Sequence, residues 1–227
     1  ITCVILKHNN PCGVGRAETT KEAFEKALST DPLSAFGGII GFNDFVDIDT
    51  AELMVKSFFE CIIASGFSED ALERLQKKKN LRLLVYDPQN QDVFNKDIRI
   101  VQNGLLVQEN DSITLKMPDC KVVSKRRPTE EEMDSLDFAW KIVKHVRSNA
   151  IVFSEKDRLI GVGAGQMSRV DSTDIAVMKA QKSDLSTENS VVASDAFFPF
   201  RDGIDSLAKA GATAVIQPGG SIRDEEV

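Results

Sequence analysis

Ile1 to Leu6 are apolar or β-branched almost throughout, the pattern of a buried strand. Polar Lys7, His8, Asn9 and Asn10 end that run. Pro11, Gly13 and Gly15 then predict a loop in which backbone N–H groups approach a ligand closely. The period changes next: Thr19-Thr20-Lys21-Glu22 has capping-box spacing, and Ala23, Phe24, Ala27 and Leu28 lay one apolar stripe on a helix that Asp31-Pro32 closes. Leu33 to Asn43 reads as a glycine-bearing turn running into a strand. Its adjacent Gly37 and Gly38 are either a simple turn or a place where a flat ligand lies against the backbone. Asp49 and Glu52 open a helix to about Phe59, and Cys61 to Ala64 is a short buried strand. Ser68-Glu69-Asp70 caps a further helix ending in Lys77-Lys78-Lys79, read as solvated cations at a negative helix end. Leu81 to Tyr86 is a strand, Asp87-Pro88-Gln89-Asn90 a turn, and Ile98 to Val107 another strand region.

Residues 117–128 mix Pro, Lys and Arg without helical period and predict a linker between a first unit, 1–116, and a second, 129–227. Thr129-Glu130-Glu131-Glu132 is again a capping box, opening a helix to about Val146. Ala150 to Phe153 and Arg158 to Val162 read as partner strands, and a helix follows Met167-Ser168-Arg169. Val191 to Ala193 and Thr213 to Ile216 are strands, and Pro218-Gly219-Gly220-Ser221 enters a helix through N–H groups free for an anion or carbonyl. Each half therefore reads strand, polar loop, helix, glycine-rich or aromatic turn, strand. That alternation predicts an α/β fold with an internal repeat.

At 227 residues, with 42% hydrophobic and 28% charged side chains, the chain has enough apolar material for one large or two small cores. A formal charge of −7 and a pI near 5.0 exclude a general positive field for nucleic acid or an anionic membrane, so an anionic ligand needs local cations. The four cysteines are far apart with no C-x-x-C pair, which predicts reduced thiols and a cytoplasmic location. No apolar run approaches the ~20 residues that cross a bilayer. The chain reads as a piece of a longer polypeptide.

Candidate chemistry concentrates in a few places. Lys7 offers a cation for an anion or for developing negative charge, and His8 a proton acceptor. Gly161-Val162-Gly163-Ala164-Gly165 is not the dinucleotide fingerprint, because the spacing and the following acidic residue are wrong. Phe197, Phe198 and Phe200 surround Pro199 and are flanked by Asp195, Arg201 and Asp202. The run suits a slot for a planar heterocycle, with Phe198 taken alone reading as core.

Lys7-His8-x-x-Pro11, Ser34-Ala35-Phe36-Gly37, Lys144 to Asn149, Gly161 to Arg169, Ser194 to Asp202 and Pro218 to Ser221 together resemble, in that order, the transformylase domain of the bifunctional purine biosynthesis family, in its bacterial branch. The resemblance implies two α/β/α units of cytidine-deaminase-like type with mixed sheets, related by duplication. It also implies formyl transfer from 10-formyltetrahydrofolate to the 5-amino group of AICAR, in a homodimer with shared sites and with an IMP cyclohydrolase domain in the same polypeptide. Carried over by position, it makes Lys7, His8 and Asn149 catalytic. Gly37, Glu60 and Phe197 become nucleotide contacts, and Phe36, Arg169, Pro199, Asp202, Ser221 and Ile222 folate contacts. A potassium site, K+, falls near Val143, Ser148 and Asp195, and no zinc is implied.

Two rival readings remain. A deaminase-type zinc hydrolase needs His-x-Glu or Cys-x-Glu and Pro-Cys-x-x-Cys; Cys12 follows Pro11, but Gly15 stands where the second cysteine belongs. The other is a folate- or nucleotide-binding domain without turnover, against which Lys7 and His8 argue.

Overall fold

The computed structural model describes residues 1–87, 89 and 96–227, so Pro88 and Asn90 of the expected turn lie outside the described residues. Strand β1 (Thr2–Lys7) turns back at His8-Asn9 into β2 (Asn10–Arg16), followed by helices α1 (Thr20–Thr30) and α2 (Pro32–Ala35). Next come β3 (Ile39–Phe42), β4 (Phe45–Val46), α3 (Ile48–Met54), β5 (Cys61–Ala64), β6 (Gly66–Phe67), α4 (Glu69–Gln76) and β7 (Arg82–Val85). A separate ribbon, β8 (Lys96–Val101) with β9 (Gly104–Glu109), takes the place of the single strand region expected there.

The second half runs α5 (Glu130–Val143), β10 (Ile151–Glu155), β11 (Arg158–Gly163), α6 (Arg169–Lys182), β12 (Val191–Ser194), α7 (Arg201–Lys209) and β13 (Ala214–Ile216). Helix ends follow the capping residues: Thr19, Ser68, Thr129 and Ser168 each accept a backbone N–H three residues on. Thr129 and Glu132 close a reciprocal capping box. The expected linker holds one 3-10 turn, Met117–Asp119.

One mixed sheet of nine strands carries both halves, in the order β13-β12-β10-β11-β2-β1-β3-β5-β7. The halves meet where β11 pairs antiparallel with β2, Arg158 opposite Gly15. Connectivity repeats across that seam. A hairpin (β1–β2; β10–β11) is followed by a helix, then a strand antiparallel to the first (β3; β12), then one parallel to that (β5; β13).

Side chains alternate between faces as a pleated sheet requires. Cys3, Ile5, Ile40 and Ile62 join α1, α3 and α4 in one core, and Ile151, Phe153 and Val192 join α6 and α7. On the opposite face Val14, Val152, Val191 and Ala193 pack under α5, with Trp140 partly buried against the same cluster.

The glycines after Lys7 do not form the expected ligand loop. Gly13 and Gly15 lie in β2 under α1, where a Cβ would stand 2.0 Å from the Ala27 carbonyl oxygen and 2.4 Å from that of Ala23. Gly161 and Gly163 do the same in β11 under α6, at 2.4 Å from Ala176 O and 1.8 Å from Ser172 O. Their missing side chains let helix and strand backbones touch. The expected helix after Ser221 is also absent as an α-helix; a turn stands there. Among the described residues no helix is long and apolar enough to cross a membrane.

Candidate active site

Alternating strand directions bring the starts of β2, β3, β5 and β10 to the same sheet edge as the ends of β1, β11, β12 and β13. Every residue proposed from sequence for catalysis, nucleotide or folate sits on or beside that edge.

Lys7 is the last residue of β1 and His8 the first of the turn into β2. His8 and Asn9 have φ of 49° and 63°, the left-handed pair that a two-residue hairpin needs. Lys7 donates from Nζ to the Phe36 carbonyl oxygen at 2.7 Å. Gly37 has φ of 67°, and a Cβ there would lie 3.1 Å from Lys7 Nζ. Glycine therefore serves both the turn and the space for the ammonium. Gly37 N–H donates to Phe58 O at 2.8 Å, and the Phe36 and Phe58 rings stand 5.5 Å apart. Glu60 follows at the start of β5, its N–H on Gly38 O and its carboxylate 2.7 Å from Arg82 Nη1.

Two cavities flank this group. One, of about 270 Å3, is lined by Lys7, His8, Cys12, Asp31, Ser34 and Lys179. Burial, aided by Asp31, pushes the Cys12 thiol up to about 12, so at neutral pH it is a protonated wall rather than a nucleophile. The other, about 350 Å3, is lined by Phe58, Phe59, Lys56, Lys78 and Lys79 among others. Lys77, Lys78 and Lys79 are exposed just past the end of α4, as the sequence reading expects of solvated cations at a helix end.

Asn149 lies on the far side of β11. Its Nδ2 donates to Gln166 O at 2.9 Å, and its carbonyl accepts from Ser172 Oγ at 2.8 Å. Arg147, two residues earlier, donates its N–H to Asn10 Oδ1 at 3.0 Å, tying this loop to the Lys7-His8 turn.

Beyond it, Arg169 at the start of α6 donates to Ser194 Oγ at 3.0 Å and Asp195 Oδ1 at 3.1 Å, with both charged side chains nearly buried. Asp195 Oδ1 also accepts Ala150 N–H at 2.9 Å. Phe198 is fully buried, whereas Phe197 and Phe200 remain exposed beside exposed Pro199. Asp202 lies in the first turn of α7, a helix the sequence reading missed. Ser221 and Gly220 N–H groups are not free as expected: the Asp224 carboxylate accepts both, at 3.0 and 2.7 Å. Ile222 is wholly exposed.

A model of the AICARFT/IMPCHase bienzyme family matches residues 1–179 of this chain. The chain belongs to that family. It is similar to the bifunctional purine biosynthesis protein PurH of Leptospira biflexa, 52% identical over 223 residues that make up 98% of this chain and 44% of the relative. PurH of Persephonella marina is 52% identical over 226 residues, 99% of this chain and 44% of that protein. PurH of an Anaeromyxobacter strain is 49% identical over 235 residues, with 100% and 44% covered. The chain therefore spans less than half the length of these curated AICARFT/IMPCHase relatives.

Proposed function

We propose that this chain carries the formyl-transfer unit of a purine-biosynthesis bienzyme: the 5-amino group of AICAR attacks the formyl carbon of 10-formyltetrahydrofolate. One observation carries the reading. Lys7 and His8 sit side by side on a constrained turn, between a cavity that they line and the Phe36-Gly37 turn, whose carbonyl holds the ammonium.

An aromatic amine next to a carboxamide is a weak nucleophile. His8 takes its proton as the C–N bond forms, Lys7 stabilises the oxyanion of the tetrahedral intermediate, and collapse expels N10 of tetrahydrofolate, which gains a proton. Asn149 orients the formyl oxygen. Gly37, Glu60 and Phe197 contact the nucleotide, and the lysine-lined cavity beside Phe58 suits its phosphate. The folate lies against Phe36, Arg169, Pro199, Asp202, Ser221 and Ile222.

Sheet order supports a homodimer. From β1 to the end of β12 is four strand spacings, roughly 19 Å. A second copy closes that gap by bringing its Phe197–Asp202 segment to the first copy's Lys7-His8 turn. The cytidine-deaminase-like character of the two units, 1–116 and 129–227, and their origin by duplication belong to the same reading, as does a cytoplasmic location. So do potassium near Val143, Ser148 and Asp195, and a cyclohydrolase domain elsewhere in the polypeptide.

The test uses the full-length polypeptide with AICAR and 10-formyltetrahydrofolate. His8→Ala is expected to lower kcat by at least about 100-fold while folate binding measured by calorimetry persists, because loss of a general base acts mainly on the transition state. A wild-type kcat in that variant rejects the base assignment. Folate binding with no turnover by the wild-type polypeptide favours the binding-domain reading.

A further inference from the structure

The repeated connectivity makes the two halves comparable position by position. A bulge falls between Ile5 and Leu6 in the first hairpin and between Phe153 and Ser154 in the second, so Val4 corresponds to Val152. Following the strand pairs outward, Gly41 corresponds to Ala193, Ile39 to Val191, and Ile63 to Ile216. All eight residues lie on the face opposite α1 and α6.

In the second half that face is covered. Val152, Val191, Ala193 and Ile216 lie beneath α5 and are 0, 2, 0 and 9% exposed. In the first half the same positions are apolar or glycine, yet no described helix takes the place of α5. Ile39 is 40% exposed and Leu84, on neighbouring β7, 51%. Leu6 and Ile63 are only partly buried, and Val4 is partly buried at the margin of the cluster under α5. A sheet with one naked apolar face is half of a layered core, and its missing layer has a template in the same molecule.

That template also fixes the occupant. Helix α5 is the stretch directly before β10, starting about 20 residues upstream of it. The equivalent stretch is the one directly before β1. The PurH relatives extend beyond the matched stretch, which makes up 44% of their length. We propose that the segment immediately upstream of Ile1 in the full-length protein forms an amphipathic helix packed across Val4, Leu6, Ile39, Ile63 and Leu84, completing the first half as α5 completes the second.

The experiment is photo-crosslinking in the full-length protein carrying Ile39→p-benzoylphenylalanine, with unlabelled and 15N-labelled copies mixed and crosslinked peptides mapped by mass spectrometry. The expected crosslink joins residue 39 to the ~25 residues before Ile1 of the same copy, about seven helical turns of reach. A crosslink to the other copy, to residues 88–95 or to any other segment overturns the proposal, and so does the absence of a crosslink. Ile39→Cys provides a milder variant: in the full-length protein its maleimide labelling is expected to be at least about tenfold slower than that of Leu33→Cys, whose native leucine is 81% exposed. Equal rates also overturn the proposal.

Discussion

Lys179, on α6 of the second half, places its ammonium 2.8 Å from the Asp31 carboxylate and 2.9 Å from Ser34 Oγ, at the start of α2 in the first half. Asp31 also caps α2 by accepting Ser34 N–H at 3.0 Å. Desolvation raises the Asp31 pKa, but hydrogen bonds from Lys179 and Ser34 outweigh it and hold the carboxyl below its ordinary value. The pair matters because α2 leads into Phe36, the residue whose carbonyl receives Lys7.

Lys179→Met is therefore expected to cost about 1.5–3 kcal/mol, the range for a charge-assisted bond lost from a partly buried site. Formyl transfer should fall about tenfold in kcat through the loosened Phe36-Gly37 turn. Adding Asp31→Asn should restore part of the stability, since the unpaired charge is gone. Urea melts of the four members of the cycle check this, and strictly additive losses contradict the coupling.

Asn10 joins the Lys7-His8 turn to the loop bearing Asn149 through Arg147 N–H. Asn10→Ala is expected to cost about 1 kcal/mol, one neutral hydrogen bond, and to lower kcat more than it raises KM. Steady-state kinetics on the full-length protein make the separation.

Helix–strand contact at the glycines sets a sharper limit. Gly13→Ala and Gly163→Ala drive a methyl into a carbonyl oxygen of the overlying helix, an overpacking expected to cost at least about 2 kcal/mol. Gly104→Ala, with nothing within 4 Å of its new methyl, should change stability by no more than about 0.5 kcal/mol. Denaturant midpoints of the three variants order the effects.

Glu132 titrates with folding. The Arg126 guanidinium, bound through two 2.9 Å contacts, holds its carboxyl down from an ordinary 4.5 to about 2. A depressed folded value means that the stabilisation is present above pH 4.5 and disappears as pH falls through about 2. Glu132→Gln should thus be less stable than wild type at pH 7 and converge with it towards pH 2. Parallel curves of melting temperature against pH would contradict the assignment.

The order and kind of most elements were legible in the chain, because the signals are local. Thr129, Ser68 and Ser168 announce helix starts within a single turn, and the apolar runs at Ile1, Cys61, Ile151 and Val191 announce buried strands. The candidate site was legible as a set of motifs. What pairs with what was not. Gly13 and Gly15 read as loop glycines because a strand glycine beneath a helix has the same letter, and only the position of Ala27 or Ala23 distinguishes the two.

The sequence alone determined the α/β alternation, the Lys7-His8 pair and the family to which the motifs point, since period, caps and motifs act over a few residues. Only the tertiary structure decided that one nine-stranded sheet runs through both halves and that Lys179 reaches Asp31 across 148 positions. It alone showed that Asp224 fills the N–H groups of Gly220 and Ser221. Such contacts depend on strand order and helix placement, which emerge when distant apolar faces are buried together and leave no mark on the residues nearby.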